Sequence, residues 1–282
     1  MRILITGGKG QLGRELERKL SRSHDVWSLG KEELDITRKD EVDSVLSAIR
    51  PEMIIHCAAY TAVDECEKNR KKAFEVNGLG TCFLVQAARR LDARIIYIST
   101  DYVFDGAKGS PYTENDEPNP LSIYGLSKWM GEKFVLNYMK GTVVRTSWLY
   151  GHSGKNFVKT MLRLAESKKE IKVVHDQIGS PTYAKDLVQV IVQLFGKKDG
   201  IYHVSNKGQC TWYEFAKEIL RLAQLDPAII SPITTEEYNA PAPRPKYSVL
   251  GHEGLKREEI LPLRPWDEAL EEFFRKEKTV YD

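Results

Sequence analysis

The sequence predicts an α/β protein: a doubly wound parallel sheet over residues 1–150, then a smaller mixed α/β region over 151–282, with the chain crossing between the two in its C-terminal half. Three observations predict it. Short apolar runs alternate with helical stretches up to residue 99, and several of those runs are apolar without a break, as strands covered on both faces are. The first run also turns directly into glycines, as a buried strand does where the chain reverses towards a helix.

Each element follows from its own pattern. Arg2-Ile3-Leu4-Ile5-Thr6 is short, apolar and partly β-branched, and reads as a buried strand. From Gln11 to Arg22, Leu12, Leu16 and Leu20 recur every four positions and give a charged helix one apolar stripe. Val26 to Leu29 is the second strand. The cycle repeats with a helix near Lys39 to Ile49, a strand from Met53 to Ala58, a long helix near Lys71 to Leu91 and a strand from Ala93 to Ser99. The alternation then loosens into the Gly/Pro/Asn-rich stretch Gly106 to Pro120, a helix near Ser122 to Met139 and a strand from Thr142 to Thr146. Helices near Asn156 to Ser167, Tyr183 to Phe195, Thr211 to Gln224 and Trp266 to Lys276 follow, broken by short strands such as Ile171 to Val174. Pro241-Ala242-Pro243-Arg244-Pro245 cannot donate ladder hydrogen bonds, so it is an ordered loop or a lid.

Composition removes several function classes. With 42 Lys+Arg against 40 Asp+Glu, a formal charge of +2, the chain carries no overall field that selects nucleic acid or an anionic membrane. No run approaches the roughly 18 apolar residues of a membrane span, and the N-terminus turns to glycine too early for a signal peptide. A cytoplasmic protein is the expectation. Cys57, Cys66, Cys82 and Cys210 show no Cys-x-x-Cys pair and are expected to be reduced, mostly buried thiols. The histidines have no metal-ligand spacing.

The glycine turn is the first sign of chemistry. Gly7-Gly8-Lys9-Gly10-Gln11-Leu12-Gly13 fits both Gly-x-Gly-x-x-Gly and Gly-x-x-Gly-x-x-Gly, patterns that are weak alone. Here the motif follows a strand and opens a helix, where bare backbone N–H groups and a positive helix end hold a pyrophosphate. This makes the doubly wound sheet Rossmann-type. A site for NAD usually has an acid about 20 residues further on, at the end of the second strand, to bond the ribose 2′-hydroxyl. Gly30 stands there instead, followed by Lys31, which suits a 2′-phosphate and favours NADPH, with NADH possible. Glu32 and Glu33, slightly late, are the alternative ribose acceptors.

Tyr124-Gly125-Leu126-Ser127-Lys128 sets a phenol and an ammonium one helical turn apart on one face. A nearby ammonium favours the phenolate and lowers a pKa that begins at about 10, which fits Tyr124 for acid–base work. The spacing is common by chance among 13 tyrosines, but this pair follows a strand that ends in Ser99-Thr100-Asp101-Tyr102, at the sheet edge where open α/β folds bind ligands.

The combination of Gly7, Gly10 and Gly13 with Thr100, Tyr124 and Lys128 resembles the extended short-chain dehydrogenase/reductases. Longer runs narrow the resemblance. Gly10-Gln11-Leu12-Gly13, Leu34-Asp35-Ile36-Thr37, Ala58 to Asp64, Ser99 to Gly106, Arg145 to Gly151, Asn156 to Met161, Asp176 to Thr182 and Arg244-Pro245-Lys246 are similar to the dTDP-4-dehydrorhamnose reductases. The similarity spans essentially the whole chain.

That resemblance implies an NAD(P)H-dependent oxidoreductase of polysaccharide biosynthesis that reduces the 4-keto group of a nucleotide sugar, with the C-terminal region binding that substrate. Thr100, Tyr124 and Lys128 would be catalytic: Thr100 holding the carbonyl oxygen, with Ser99 as its fallback, Tyr124 donating the proton, and Lys128 orienting the nicotinamide ribose and biasing Tyr124. Gly7, Gly10, Gln11, Leu12 and Gly13 would meet the pyrophosphate, Lys31, Asp35 and Ile36 the adenosine end, and Ala58, Ala59 and Tyr60 the middle of the dinucleotide. Asp101 and Trp148 would meet the sugar and Arg244 the diphosphate; the alternatives are a core aromatic for Trp148 and a surface ion pair for Arg244. Asn77 would organise water or backbone near the site, or else cap or kink its helix. Some family members bind a divalent ion through glutamates between subunits, but no complete set maps here, so the metal is unassigned and a homodimer is left open. Competing implications are a reductase of another nucleotide 4-keto-deoxysugar, a nucleotide-sugar epimerase, or a non-catalytic regulatory subunit of methionine adenosyltransferase type.

Overall fold

A computed structural model describes residues 1–281. The first half alternates as its apolar runs require: β1 (Arg2–Thr6), α1 (Gln11–Leu20), β2 (Asp25–Leu29), α2 (Lys39–Ile49), β3 (Met53–His56), α3 (Val63–Lys68), α4 (Arg70–Ala73), a π-helical segment Phe74–Gly80, α5 (Thr81–Leu91), β4 (Arg94–Thr100), a 3-10 turn Asp101–Val103, α6 (Ile123–Leu136) and β5 (Gly141–Thr146). The single long helix expected near Lys71 to Leu91 is therefore three segments, widened in the middle by a π turn, a feature that often marks functional sites. Close packing against α6 accompanies the widening: a Cβ on Gly131 of α6 would lie 2.6 Å from the Asn77 carbonyl oxygen.

The second half holds β6 (Leu149–Tyr150), α7 (Phe157–Ala165), β7 (Ile171–Val174), β8 (Ile178–Gly179), β9 (Thr182–Tyr183), α8 (Ala184–Gln193), β10 (Gly200–His203), β11 (Cys210–Thr211), α9 (Trp212–Leu222), β12 (Ile230–Ile233), α10 (Thr235–Tyr238), α11 (Glu253–Arg257) and α12 (Trp266–Tyr281). Six strands form one parallel sheet in the order β2-β1-β3-β4-β5-β10. Its last strand comes from the C-terminal half.

Both faces of the sheet are covered. Ile3, Ile5, Ile55, Ile96 and Val144 pack with Leu12, Leu16 and Leu20 of α1 and Leu187, Val190 and Ile191 of α8. Leu4, Ile54, Ile95, Tyr97 and Val143 pack on the other side with Val42 and Leu46 of α2, Leu84 and Ala88 of α5, and Val135 of α6. A strand whose successive residues point into opposite cores has no polar face, and this is why β1 and β3 read as unbroken apolar runs. A separate core around Tyr150, Phe215, Ile219 and Phe273 holds the C-terminal elements together. Strand order reverses at β1, so a crevice opens beyond the carboxyl ends of β1 and β3, the topological switch point.

The chain just after the Pro-rich loop is held by backbone hydrogen bonds. Ile178 N–H donates to the Lys246 carbonyl and Ser248 N–H to the Ile178 carbonyl, both at 2.8 Å, and Tyr112 N–H donates to the Val249 carbonyl at 2.9 Å. Among the described residues no helix is long and apolar enough to cross a membrane.

Candidate active site

A cleft of about 1060 Å³ lies on that carboxyl edge, lined from the glycine turn through Ala58 to Tyr60 and Thr100 to Trp148 and Trp212. At its floor the chain reverses tightly. Gly7 has φ +67°, and a Cβ there would lie 2.7 Å from the Ala58 nitrogen; one on Gly13 would lie 2.5 Å from the Gly7 carbonyl oxygen. The turn is closed by Gly10 N–H donating to the Gly7 carbonyl at 2.9 Å. Gly10 also caps α1, whose first turn has neither a side-chain cap nor an acidic residue, so the positive helix end faces the cleft unneutralised. Gln11 lines the cleft, and its side chain ties the turn to the second half of the chain: Nε2 donates to the Leu149 carbonyl at 3.0 Å and Oε1 accepts from Asn156 Nδ2 at 2.8 Å.

At the end of β2, Gly30 N–H donates to Glu33 Oε2 at 2.7 Å, and Glu33 Oε1 lies 3.4 Å from Lys9 Nζ. The backbone bond holds the Glu33 carboxyl below its usual range. Neither Glu32 nor Glu33 lines the cleft, whereas Lys9 and Lys31 do. Asp35 also lines it, occupied by Thr37 N–H at 3.0 Å and Thr37 Oγ1 at 2.7 Å and standing 3.9 Å from Lys31 Nζ. Ile36 is buried beneath. This end of the cleft thus offers two exposed ammonium groups. Lys9 went unassigned in the sequence although it sits inside the glycine motif.

Ala58, Ala59 and Tyr60 follow β3 along the cleft. Asn77, wholly buried in the π-helical segment, fixes the Tyr60 backbone and donates from Nδ2 to Ser127 Oγ on α6 at 2.9 Å. Of its expected roles, the structure gives it that of organising backbone.

The groups expected to react converge at the far end. Thr100 ends β4, Tyr124 and Lys128 lie one turn apart on α6, and all three are buried and line the cleft. Thr100 Oγ1 donates to Asp101 Oδ1 at 3.1 Å and caps the following 3-10 turn. Lys128 Nζ donates to the Ile98 carbonyl at 2.7 Å and sits 4.0 Å from the centre of the Tyr97 ring. Burial brings Lys128 down to about 7. The lowering expected for Tyr124 is reversed: burial, then Asp101 and Tyr102 nearby, push the phenol above its ordinary value, and only its hydrogen bond with Thr100 works the other way. In this state Tyr124 is a protonated donor. Burial raises Asp101 to about 6 against hydrogen bonding by Ser248 and Thr100, and among the described residues its buried Oδ2 has no partner. The Thr146 hydroxyl, on the register partner of Thr100, is likewise unpartnered among the described residues.

Trp148 lines the cleft with φ +46°, a left-handed backbone rare for a bulky side chain. Its indole stacks on Trp212 with ring centres 3.5 Å apart at 9°. Trp212 was not singled out in the sequence because it lies 64 residues away, at the start of an ordinary amphipathic helix. Of the two expectations for Arg244, the structure shows an ion pair. Arg244 does not line the cleft; its guanidinium is taken by Asp64 Oδ2 and the Ala242 carbonyl, both at 2.9 Å. Among the described residues no group of three His, Cys, Asp or Glu side chains is placed to hold a metal ion.

A family model described as the RmlD substrate binding domain matches residues 1–279. The chain belongs to the dTDP-4-dehydrorhamnose reductase family. Within it, the chain is 43% identical to a dTDP-4-dehydrorhamnose reductase of Streptomyces griseus over 97% of its own length and 93% of the relative's. It is 46% identical to the spore coat polysaccharide biosynthesis protein SpsK of Bacillus subtilis (strain 168), over 100% and 99% of the two chains. The crystal structure of dTDP-4-dehydrorhamnose reductase from Bacillus anthracis str. Ames in complex with NADP superposes with a TM-score of 0.94 at 46% identity, covering 98% of this chain and 99% of that one.

Proposed function

We propose that this protein is an NADPH-dependent dTDP-4-dehydrorhamnose reductase that converts the 4-keto group of its sugar nucleotide to a hydroxyl and yields dTDP-L-rhamnose. One observation carries the reading: a single cleft joins an unneutralised helix end and two lysines to a buried Thr, Tyr and Lys set. The residues fit the cofactor, since side chains at Gly7 and Gly13 would collide with backbone in the pyrophosphate cradle and Lys9 and Lys31 offer charge for a 2′-phosphate. When bound, NADPH supplies the hydride that adds to carbon 4.

The protein's own groups do the rest. Thr100 holds the carbonyl oxygen by hydrogen bond, and Tyr124, kept protonated by burial, donates its proton to that oxygen as negative charge develops. Lys128 orients the cofactor ribose from within the sheet edge. Asp101 and the Trp148–Trp212 stack border the sugar's side of the cleft. We place the activity in the cytoplasm, in polysaccharide biosynthesis.

The test is loss of NADPH absorbance on adding dTDP-4-dehydrorhamnose, with the product identified by NMR. The expected product is dTDP-L-rhamnose with one NADPH consumed per sugar. No NADPH oxidation with this or any related 4-keto sugar nucleotide would overturn the proposal and favour a regulatory subunit. Interconversion without net consumption would favour an epimerase.

A further inference from the structure

The reaction helix α6 carries ionisable groups at three consecutive one-turn steps, Tyr124, Lys128 and Glu132, which stack along one face. The mechanism above uses the first two. Glu132 is wholly buried, and its carboxylate is clamped by three donors: Arg145 Nε to Oε1 at 2.9 Å, Arg145 Nη2 to Oε2 at 2.7 Å, and Ser99 Oγ to Oε1 at 2.5 Å. Ser99 and Arg145 are register partners on β4 and β5, each one residue before a threonine that lines the cleft. One carboxylate therefore fixes the height of α6 against the ends of two central strands.

The clamp is itself held in place. Arg145 Nη1 lies 3.3 Å from His203 Nε2, and His203 Nδ1 lies 3.0 Å from the Tyr112 carbonyl and 3.1 Å from that of Gly251. Two carbonyls at Nδ1 require its proton there, which leaves Nε2 to accept from Arg145. Burial and the Arg145 charge keep this imidazole neutral. The array has no loose donor that could turn away from Glu132.

Around Lys128 stand Tyr124 and Glu132 from α6, His56 and Cys57 from the end of β3, and Tyr97 from β4, with Asp101 and Tyr102 of the 3-10 turn facing Tyr124. His56 is held neutral by burial, the Cys57 thiol is pushed up to about 12, and Tyr97 is raised well above its ordinary value, so these three are uncharged near neutral pH. Glu132 is the carboxylate that acts on the ammonium, against the desolvation that favours its neutral form.

We infer that Glu132 is a positioning residue for the reduction: clamped by Ser99 and Arg145 one turn from Lys128, its carboxylate favours the charged form of that lysine at the cleft. The inference rests on the reading of Lys128 given above. It is tested by the pH profile of kcat/KM for NADPH, from about pH 6 to about pH 9, in wild type, Glu132→Gln and the paired change Glu132→Met with Arg145→Met, which removes both buried charges together. Both variants should lose activity on the alkaline side about one pH unit earlier than wild type, a ten-fold deficit at a fixed alkaline pH, and approach wild-type activity at the acid end. A merely structural lesion lowers activity at every pH. Ser99→Ala, which removes one tether and no charge, should displace the limb in the same direction by less, and it decides the matter if the other two variants fail to fold.

An unchanged alkaline limb in a folded variant overturns the inference, as does a uniform loss across the profile. Lys128→Met separates the two readings. If it stays active, the role given to Lys128 is wrong; if it is inactive while Glu132→Gln keeps the wild-type profile, only the role of Glu132 falls.

Discussion

Asn77 grips the backbone of Tyr60 from both sides, its Oδ1 accepting from the Tyr60 N–H at 2.8 Å and its Nδ2 donating to the Tyr60 carbonyl at 3.1 Å. This pairs a π-helical residue with the chain just after β3, and the bond from Nδ2 to Ser127 extends the link to the residue before Lys128. The segment after β3 that lines the cleft and α6 are thus held by one amide.

Asn77→Ala should cost about 2–3 kcal/mol of stability, because Tyr60 N–H and carbonyl lose their partner in a part-buried site and a small cavity opens. Denaturant titration measures it. Activity should fall with an increase in KM for NADPH, since the Tyr60 segment lines the cleft. A change within about 0.5 kcal/mol, the range of ordinary surface substitutions, would show that the grip is dispensable.

Tyr124→Phe should lower turnover by roughly 10²–10⁴-fold, the usual effect of losing a general acid, with NADPH affinity little changed. Lys128→Met should lower both turnover and cofactor affinity, because its ammonium is proposed to serve both. Steady-state kinetics with direct cofactor titration distinguishes the two; near-normal turnover in Tyr124→Phe would remove it from the chemistry.

How much of this was legible follows from distance along the chain. The βαβ cycle was readable because each of its signals, an apolar run or a four-residue leucine spacing, is local. The sixth strand, Gly200–His203, was not: four residues of mixed polarity become a strand only because β5 offers an edge to pair with. The π segment was invisible for a similar reason, as its width is set by contact with α6. In the site, the glycine turn and the Tyr124/Lys128 pair are short-range patterns, and both line the cleft. Partner choices were not readable. Gln11 bonds to Leu149 across 138 residues and Arg244 to Asp64 across 180, and no spacing rule announces either. The direction of the Tyr124 shift was missed because burial outweighed a neighbouring charge, and burial is a property of the folded chain.

Asp101 gives a pH-dependent prediction. Burial raises its carboxyl from 3.8 to about 6, so the folded chain keeps this proton to a higher pH than the unfolded chain does. Between about pH 4 and about pH 6 folding therefore loses stability as pH rises, by up to about 3 kcal/mol for this group, and the cost persists above. Asp101→Asn removes it while an amide can still accept from Thr100. The melting temperature of the variant relative to wild type should be higher at about pH 8 and should converge towards wild type near pH 4. A constant difference across that range would mean that Asp101 is not buried as a charge. Activity should fall independently, since Asp101 lines the cleft where the sugar is proposed to bind.

Lys9→Ala and Lys31→Ala should each raise KM for NADPH several-fold and together by about ten-fold or more, with KM for NADH nearly unchanged, because only NADPH carries the 2′-phosphate. Gly30→Asp should shift the ratio of specificity constants towards NADH by adding a hydroxyl acceptor and a repulsive charge. Its Cβ would meet Lys9 Cγ at 2.7 Å, so the Lys9 side chain must shift to admit it. Equal effects on both cofactors would show that these lysines do not read the phosphate.

Arg244 separates two roles that the sequence could not. With its guanidinium on Asp64 and the Ala242 carbonyl, and Ala242 N–H donating to Asp64 Oδ1 at 3.2 Å, the pair ties the Pro-rich loop to the start of α3, beside Val63 at the cleft. As a loop anchor, Arg244 and Asp64 act together, so Arg244→Ala and Asp64→Asn should each weaken dTDP binding by about ten-fold, roughly the 1.4 kcal/mol of one charge-assisted bond at this half-buried position. The double variant should then be little worse than either single one, because both remove the same tie. A direct ligand of the diphosphate behaves otherwise: Asp64→Asn would release the guanidinium and tighten dTDP binding, while Arg244→Ala alone would weaken it. Calorimetry of dTDP with the three variants, and of NADPH with the same proteins as the control for folding, tells the two apart by the sign of the Asp64→Asn effect.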